Sequence, residues 1–241
     1  MKLYAYCLAE DLDTLSDSPR GISGASLRLL KIDDLAVLVS DIEIDAVPVT
    51  RDNALAHAAV VRSILAQTTP LPFRFGTLVT EQQLRSYVST RKSALQQNLA
   101  HVRGCVEMGV KIIWQPTEGE KSQAPIHHIE PQGAGATFLA EKRREILGDE
   151  QRAASAAEIS AWLSKRVSDL TRDEQVTVRP SERLLLTAAH LVERVNIQRY
   201  RARIGEAREN RPELHFLTSG PWPPYSFANI ELEFKMQFGV S

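Results

Sequence analysis

Gln175-Val176-Thr177-Val178 and Leu184-Leu185-Leu186-Thr187-Ala188-Ala189-His190-Leu191-Val192 are two apolar, β-branched runs separated by Arg179-Pro180-Ser181-Glu182. Runs of this length around a proline-containing polar turn predict a pair of strands. Upstream, Thr137 to Asp169 is rich in Ala, Glu, Lys and Arg and predicts a long helix, with Gly148-Asp149 as a point of interruption. Val106 to Trp114, before it, predicts a strand. Downstream, Ile197 to Asn210 predicts a charged amphipathic helix ended by Pro212, and Leu214 to Ser219 a last strand. The order is β-α-β-β-α-β, the split pattern of a ferredoxin-like domain with two helices on one face of a four-stranded sheet.

The first half predicts a less regular α+β unit. Leu3 to Leu8, Ser26 to Ile32 and Leu35 to Ile42 read as strands, the last two joined by Asp33-Asp34 as a two-residue hairpin connection. Thr50 to Ala66 sets Ala54, Leu55, Ala58, Val61, Ile64 and Leu65 at helical spacing, with Thr50 or Asp52 as cap. Phe73 to Val79 predicts a strand. Thr80 and Gln83 have capping-box spacing at the head of a helix running to about Val102, and Gly104 closes it. The fold class is therefore α+β in two domains, 1–104 and 105–219, with an aromatic, proline-rich tail over 220–241. Pro116 to Gly135 reads as a long exposed loop.

Composition narrows the function. The chain has 29 Lys and Arg against 30 Asp and Glu in 241 residues, a net charge of −1. Eleven of each sign lie before Gly104, so neither half is strongly basic. Nucleic acid and anionic membranes are bound by clustered Lys and Arg, so neither partner is expected. The two cysteines, Cys7 and Cys105, stand in apolar surroundings and read as buried free thiols of a reducing compartment. Met1 to Ala9 is too short for an export signal, and no stretch has the roughly 20 apolar residues that cross a bilayer.

Little in the chain points to catalysis. His127-His128 are adjacent and lack the i, i+4 spacing that lets two imidazoles share a metal. His57 reads as a packed helix histidine, with no carboxylate or nucleophile beside it in sequence. His101, His190 and His215 stand alone. Asp41, Glu43 and Asp45 alternate at a strand end and read as a solvated edge. No catalytic, cofactor or metal residue is predicted.

Two segments stand out. In Pro70-Leu71-Pro72-Phe73-Arg74-Phe75-Gly76-Thr77 the alternation puts both phenylalanines on one face of a strand and Arg74 on the other, where arginine pairs with a carboxylate or a partner. Gly220-Pro221-Trp222-Pro223-Pro224-Tyr225-Ser226-Phe227 is stiffened by three prolines. Such a segment loses little entropy on docking, which suits Trp222, Tyr225 and Phe227 to a partner surface. The other reading is intramolecular, with Trp222 and Phe227 buried against their own domain. Beyond it, Ile230, Leu232, Phe234 and Met236 alternate with polar residues, as in a strand or a tail that adds to a partner's sheet.

These segments, in order with Leu3-Tyr4-Ala5-Tyr6, Ala56-His57-Ala58-Ala59-Val60-Val61 and the Gly104 to Trp114 stretch, resemble the gas vesicle protein F/L family over nearly the whole chain, to about Phe227. The resemblance implies a non-enzymatic minor component or assembly accessory of gas vesicles, as found in cyanobacteria, other bacteria and haloarchaea. It implies contact with the hydrophobic shell protein, gas vesicle protein A, and with other accessory proteins, limiting shell-protein aggregation during nucleation. Trp222, Tyr225, Phe227 and Arg74 are the candidate partner-binding residues. The chain is then expected in the cytoplasm before assembly and at the vesicle after it. Two other classes stay open: a ferredoxin-like small-molecule-binding regulator or enzyme with a dispersed site, and an oligomeric scaffold.

Overall fold

The computed structural model describes residues 2–15, 19–114, 152–178 and 184–230. It is a mixed α+β protein with two antiparallel sheets and five helices. The chain divides into two compact units, one of Met1–Glu107 with Pro221–Ser241 and one of Met108–Gly220, so the segment from Pro221 onward groups with the N-terminal unit.

In the first unit, β1 (Lys2–Ala9) is buried along nearly its whole length, as its unbroken apolar run requires of a central strand. It pairs antiparallel with β3 (Leu35–Ile42), which pairs with β2 (Leu27–Ile32). The β2–β3 register runs from Leu27 opposite Ser40 to Ile32 opposite Leu35, and Asp33 makes the turn at φ 54°, a left-handed conformation that aspartate tolerates. Helix α1 (Arg51–Leu65) is capped by Thr50, whose hydroxyl accepts from the Asn53 N–H at 3.3 Å. It buries His57, Val60, Val61, Ile64 and Leu65.

Two expectations need correction here. The Phe73–Val79 strand is two short pieces, β4 (Leu71–Pro72) and β5 (Leu78–Val79), both antiparallel to β1. Between them residues 73–77 form a loop. Pro70 and Pro72 offer no N–H to a ladder, and Gly76 at φ 85° turns the chain back. The helix expected from Thr80 to Val102 is likewise two, α2 (Glu81–Thr90) and α3 (Lys92–Val102), breaking at Arg91 (φ −105°, ψ 15°) just after Ser89-Thr90, which are poor helix formers. The capping box is present: the Gln83 N–H donates to Thr80 Oγ1 at 3.2 Å and the Thr80 N–H to Gln83 Oε1 at 2.8 Å.

The second sheet contains β6 (Cys105–Trp114), β7 (Thr171–Val178), β8 (Leu184–Glu193) and β9 (Leu214–Trp222), in the order β7-β8-β6-β9. Helix α4 (152–167) lies between β6 and β7 in sequence, and α5 (Ile197–Asn210) between β8 and β9. Strand β7 starts four residues earlier than its apolar part, at Thr171 rather than Gln175. As an edge strand exposed on both faces, it tolerates Arg172, Asp173 and Glu174. Strand β9, at the other edge, runs past Ser219 to Trp222, because a proline there removes no central ladder bond. The Pro116–Gly135 loop with His127-His128, the helical stretch before residue 152, the Arg179–Glu182 turn and the alternating tail beyond Ile230 lie outside the described residues.

Both sheets share one strand order. Counted within each unit it is 2-3-1-4, with β5 added beside β1 in the first, and the 3₁₀ turn Ile22–Gly24 occupies the chain position in the first unit that α4 occupies in the second. Cys7 and Cys105 are both buried and neither forms a disulfide, and burial raises the pKa of Cys7.

Tyr6 ties this 3₁₀ turn to the sheet. Its buried hydroxyl accepts from the Ile22 N–H at 2.8 Å and hydrogen-bonds Ser40 Oγ at 3.0 Å. A Cβ on Gly21 would lie 2.2 Å from that hydroxyl. Gly21→Ala is expected to lower unfolding free energy by about 1–3 kcal/mol, the cost of overpacking, read as a shift in urea midpoint. An unchanged midpoint would mean the turn does not seat against Tyr6.

Candidate functional site

Tyr4 and Tyr6 are two apart on β1 and therefore share one face, with ring centroids 4.7 Å apart. Helix α1 lays His57, only 4% exposed, against both. The Tyr4 hydroxyl lies 3.0 Å from His57 Nδ1 and accepts from the Gly76 N–H at 3.1 Å. The hydroxyl and Nδ1 share one hydrogen bond, whose donor is set by the imidazole tautomer. Nε2 is buried and forms no hydrogen bond of ordinary geometry. Burial lowers the pKa of His57 to about 4, opposed by the Phe73 backbone. The imidazole is neutral at pH 7, and burial likewise raises the pKa of Tyr4.

The 73–77 loop is built around this pair. The Phe73 N–H donates to the Tyr6 carbonyl at 2.9 Å and the Ala5 N–H to the Thr77 carbonyl at 3.0 Å, so the loop closes on β1 at both ends. Inside it, the Thr77 hydroxyl donates to the Arg74 carbonyl at 2.6 Å. Phe73 is buried, while Phe75 packs edge-on against His57 at 5.9 Å. Arg74 is therefore an exposed turn residue rather than the opposite face of a strand.

The proline-rich segment docks on the same unit. Glu107 accepts from the Ser226 N–H at 2.7 Å and from its hydroxyl at 2.8 Å. Asn98 on α3 donates to the Phe227 carbonyl at 2.9 Å and accepts from the Asn229 N–H at 2.8 Å. Phe227 is buried at 6% exposure and serves as an anchor, whereas Trp222 and Tyr225 keep 38% and 40% of their surface. The Arg62 guanidinium stacks over Trp222 at 4.8 Å, and the Tyr225 ring lies 6.3 Å from His57. Burial of the Tyr225 hydroxyl end raises its pKa, with Cys7, Tyr4 and Glu107 adding to the shift. Ring contacts thus link Phe75 to His57 and His57 to Tyr225, while Trp222 lies under the Arg62 guanidinium.

Sequence reasoning singled out Trp222, Tyr225, Phe227 and Arg74, which all fall in this unit. It missed Arg62, Asn98 and Glu107, whose contacts with the tail span more than a hundred residues. Polar residues on amphipathic elements carry no local signal for such contacts. Asp41 and Asp45 prove to be ion-paired with Arg28 and Lys2. Among the described residues no group of three or more His, Cys, Asp or Glu could hold a metal.

The second unit has its own buried pair. His190 on β8 lies 2.6 Å through Nδ1 from the Tyr200 hydroxyl on α5, and burial lowers its pKa to about 4. Half-exposed Glu174 faces its Nε2 at 3.7 Å, yet desolvation prevails. Glu174 also borders an open cleft of about 430 Å³, lined with Ser164, Lys165, Ser168, Thr171, Arg172 and Asp173. Arg172 is turned to Glu193 at 2.7 Å, so these groups do not converge on a ligand position.

Both histidines make stability depend on pH. Unfolded, each takes a proton near 6.5, and folded only near 4. Between those values unfolding takes up protons, so stability is full above about pH 6.5 and falls as pH drops toward 4. The loss is expected to reach about 3 kcal/mol per histidine as an upper value. Urea midpoints from pH 7.5 to 4.5 check this, with a flatter slope expected for His57→Asn/His190→Asn. An equal slope in that variant would contradict the assignment.

Comparison with known proteins gives the family and the fold. The family model described as gas vesicle synthesis protein GvpL/GvpF matches residues 2–229. Gas vesicle protein L of Streptomyces sp. (strain CB03234) is 28% identical, covering 95% of this chain and 94% of that relative. Gas vesicle protein F2 of Halobacterium salinarum is 26% identical over 95% and 93%. The crystal structure of GvpF from Anabaena sp. PCC7120 superposes with a TM-score of 0.77 at 19% identity, covering 95% of this chain and 97% of that one. GvpF from Microcystis aeruginosa gives 0.75 at 16%, over 95% and 99%. The chain carries the 73–77 loop and the docked aromatic segment inside one continuous family match, and it belongs to the gas vesicle synthesis protein GvpL/GvpF family.

Proposed function

We propose that this gas vesicle-associated protein is a non-enzymatic assembly factor that binds the hydrophobic shell protein, gas vesicle protein A, and limits its aggregation during nucleation. The observation that carries the reading is the docked proline-rich segment. Phe227 is buried as an anchor, while Trp222 and Tyr225 each keep well over a third of their surface exposed. Rigid aromatics fixed in place by prolines and by the Glu107 and Asn98 hydrogen bonds lose little freedom when a partner arrives. A shell subunit with a water-avoiding face exposes apolar surface before it assembles, and a reversible aromatic contact covers such surface without joining it permanently. The encounter takes place in the cytoplasm before assembly, and other gas vesicle proteins join the same complex.

We read the second unit as ferredoxin-like. Its element order and 2-3-1-4 strand order support that reading, and the same strand order extends it to the first unit.

The test is co-purification of the full chain with the co-expressed shell protein. Trp222→Ala/Tyr225→Ala is expected to lower captured shell protein at least about tenfold, as for truncation of paired aromatic hot spots, with an unchanged melting curve. Full capture by the folded variant would overturn the assignment of this face. Point variants are preferred to truncation at Ser219, because truncation also takes Phe227 and Ile230 out of the buried interior.

A further inference from the structure

The segment from Pro221 to Ile230 is held on the first unit as a bound peptide is held. Its Pro223, Pro224, Phe227 and Ile230 are buried, and its main chain is gripped by two side chains of that unit. The Asn98 amide donates to the Phe227 carbonyl and accepts from the Asn229 N–H, as a neighbouring strand would. Glu107 accepts from both the N–H and the hydroxyl of Ser226. These partners stand 119 to 131 residues away in sequence, so the seat is built by distant parts of the chain. The segment also carries its own shape. Its Tyr225 and Phe227 N–H groups donate back to the Pro223 and Pro224 carbonyls, at 2.8 and 3.2 Å.

The connection into this segment has no spacer. Strand β9 runs to Trp222, which already lies under the Arg62 guanidinium, and the next residue, Pro223, is buried. The boundary between the two units falls between Gly220 and Pro221. Gly220 takes φ 108°, a conformation that favours glycine, and Pro221, Pro223 and Pro224 fix φ beyond it. A flexible tether gives a seat a high effective concentration of its own segment and keeps the contact within one chain. A short hinge stiffened by prolines forfeits much of that advantage, and such hinges invite exchange of the segment between identical copies. Exchange retains every contact of the seat, so association entropy is what opposes it, and that cost falls as concentration rises.

We propose that this seat is a peptide-recognition site that also works between copies of the chain: the Pro221–Ile230 segment of one copy fills the seat of a second, and the second returns its own. The chemistry of the occupant is the one seen in the seat, a proline-stiffened segment that presents a serine, a buried phenylalanine and a following asparagine amide to Glu107 and Asn98. Reciprocal exchange closes a two-fold dimer in which each copy supplies Trp222 and Tyr225 to the other's first unit. The proposal goes beyond the proposed function and stands without it.

The experiment co-expresses two differently tagged full-length chains, Glu107→Cys in one and Ser226→Cys in the other, and treats them with a short bismaleimide. Cys7 and Cys105 are buried, so the reagent acts on the introduced thiols. A link between the two tags is expected to rise with concentration and to exceed, at least about fivefold, the link between two Ser226→Cys chains, which measures random collision. The single chain Glu107→Cys/Ser226→Cys, kept dilute, reports through its internal link that the seat still forms. Insertion of three Gly/Ser residues after Gly220 is expected to lower the cross-chain link at least about fivefold, because a longer tether favours seating within one chain. Cross-chain linking no greater than collision, with the internal link intact, would overturn the proposal. Native mass spectrometry of the unsubstituted chain is a second reading that needs no cysteine. It should show a dimer that grows with concentration and is lost on hinge insertion, and a monomer at every concentration would overturn the proposal. Shell protein is left out throughout, so either failure leaves the proposed function standing.

Discussion

The hydroxyl of Tyr4 ties together the elements of the first unit. It sits on the central strand of the first sheet, accepts from the Gly76 amide of the 73–77 loop and shares a hydrogen bond with His57 Nδ1 on α1. One buried group thus links a strand, a helix and the turn that exposes Arg74. Removal of a partner would leave a buried amide or imidazole unsatisfied, which costs more than the bond itself contributes. The His57 ring passes this order on to Tyr225, and the tail is tied down on either side by Arg62, Glu107 and Asn98.

The second unit uses the same device with the residue types exchanged. His190 is on the sheet and Tyr200 on the helix, whereas Tyr4 is on the sheet and His57 on the helix. In each case the helix is the one that follows the third strand of its sheet, and the strand order is the same. Similar topologies need their crossover helix fixed in one register. A buried hydrogen-bonded pair specifies that register where apolar packing alone permits sliding. The chain shows no matching sequence repeat, so the correspondence lies in topology and in this pairing.

Regular elements were readable in the sequence wherever periodicity was undisturbed. The β2–β3 hairpin, α1 with its Thr50 cap, the Thr80–Gln83 capping box and α5 all fall within a residue or two of expectation. Errors came where backbone chemistry overrode pattern. Phe73 to Val79 alternates like a strand, yet its prolines and Gly76 force a loop. Thr171 to Glu174 looks too charged for a strand, yet an edge position accepts it. The candidate site was half visible. Its aromatics and Arg74 stood out by composition and local chemistry, while Arg62, Asn98 and Glu107 become meaningful only once the chain returns after the second unit. Phe227 looked like a contact because it is aromatic, and burial makes it an anchor.

The shell-protein contact proposed above lies on the aromatic residues of the first unit. Site-specific photo-crosslinking reads that placement without weakening it: a photoreactive residue replaces Tyr225 in one full-length chain and Val195, exposed on the second unit, in another. Irradiation after co-expression with the shell protein should yield a shell-protein adduct from position 225 and none from 195. Adducts from 195 with none from 225 would contradict the account and move the contact to the second unit.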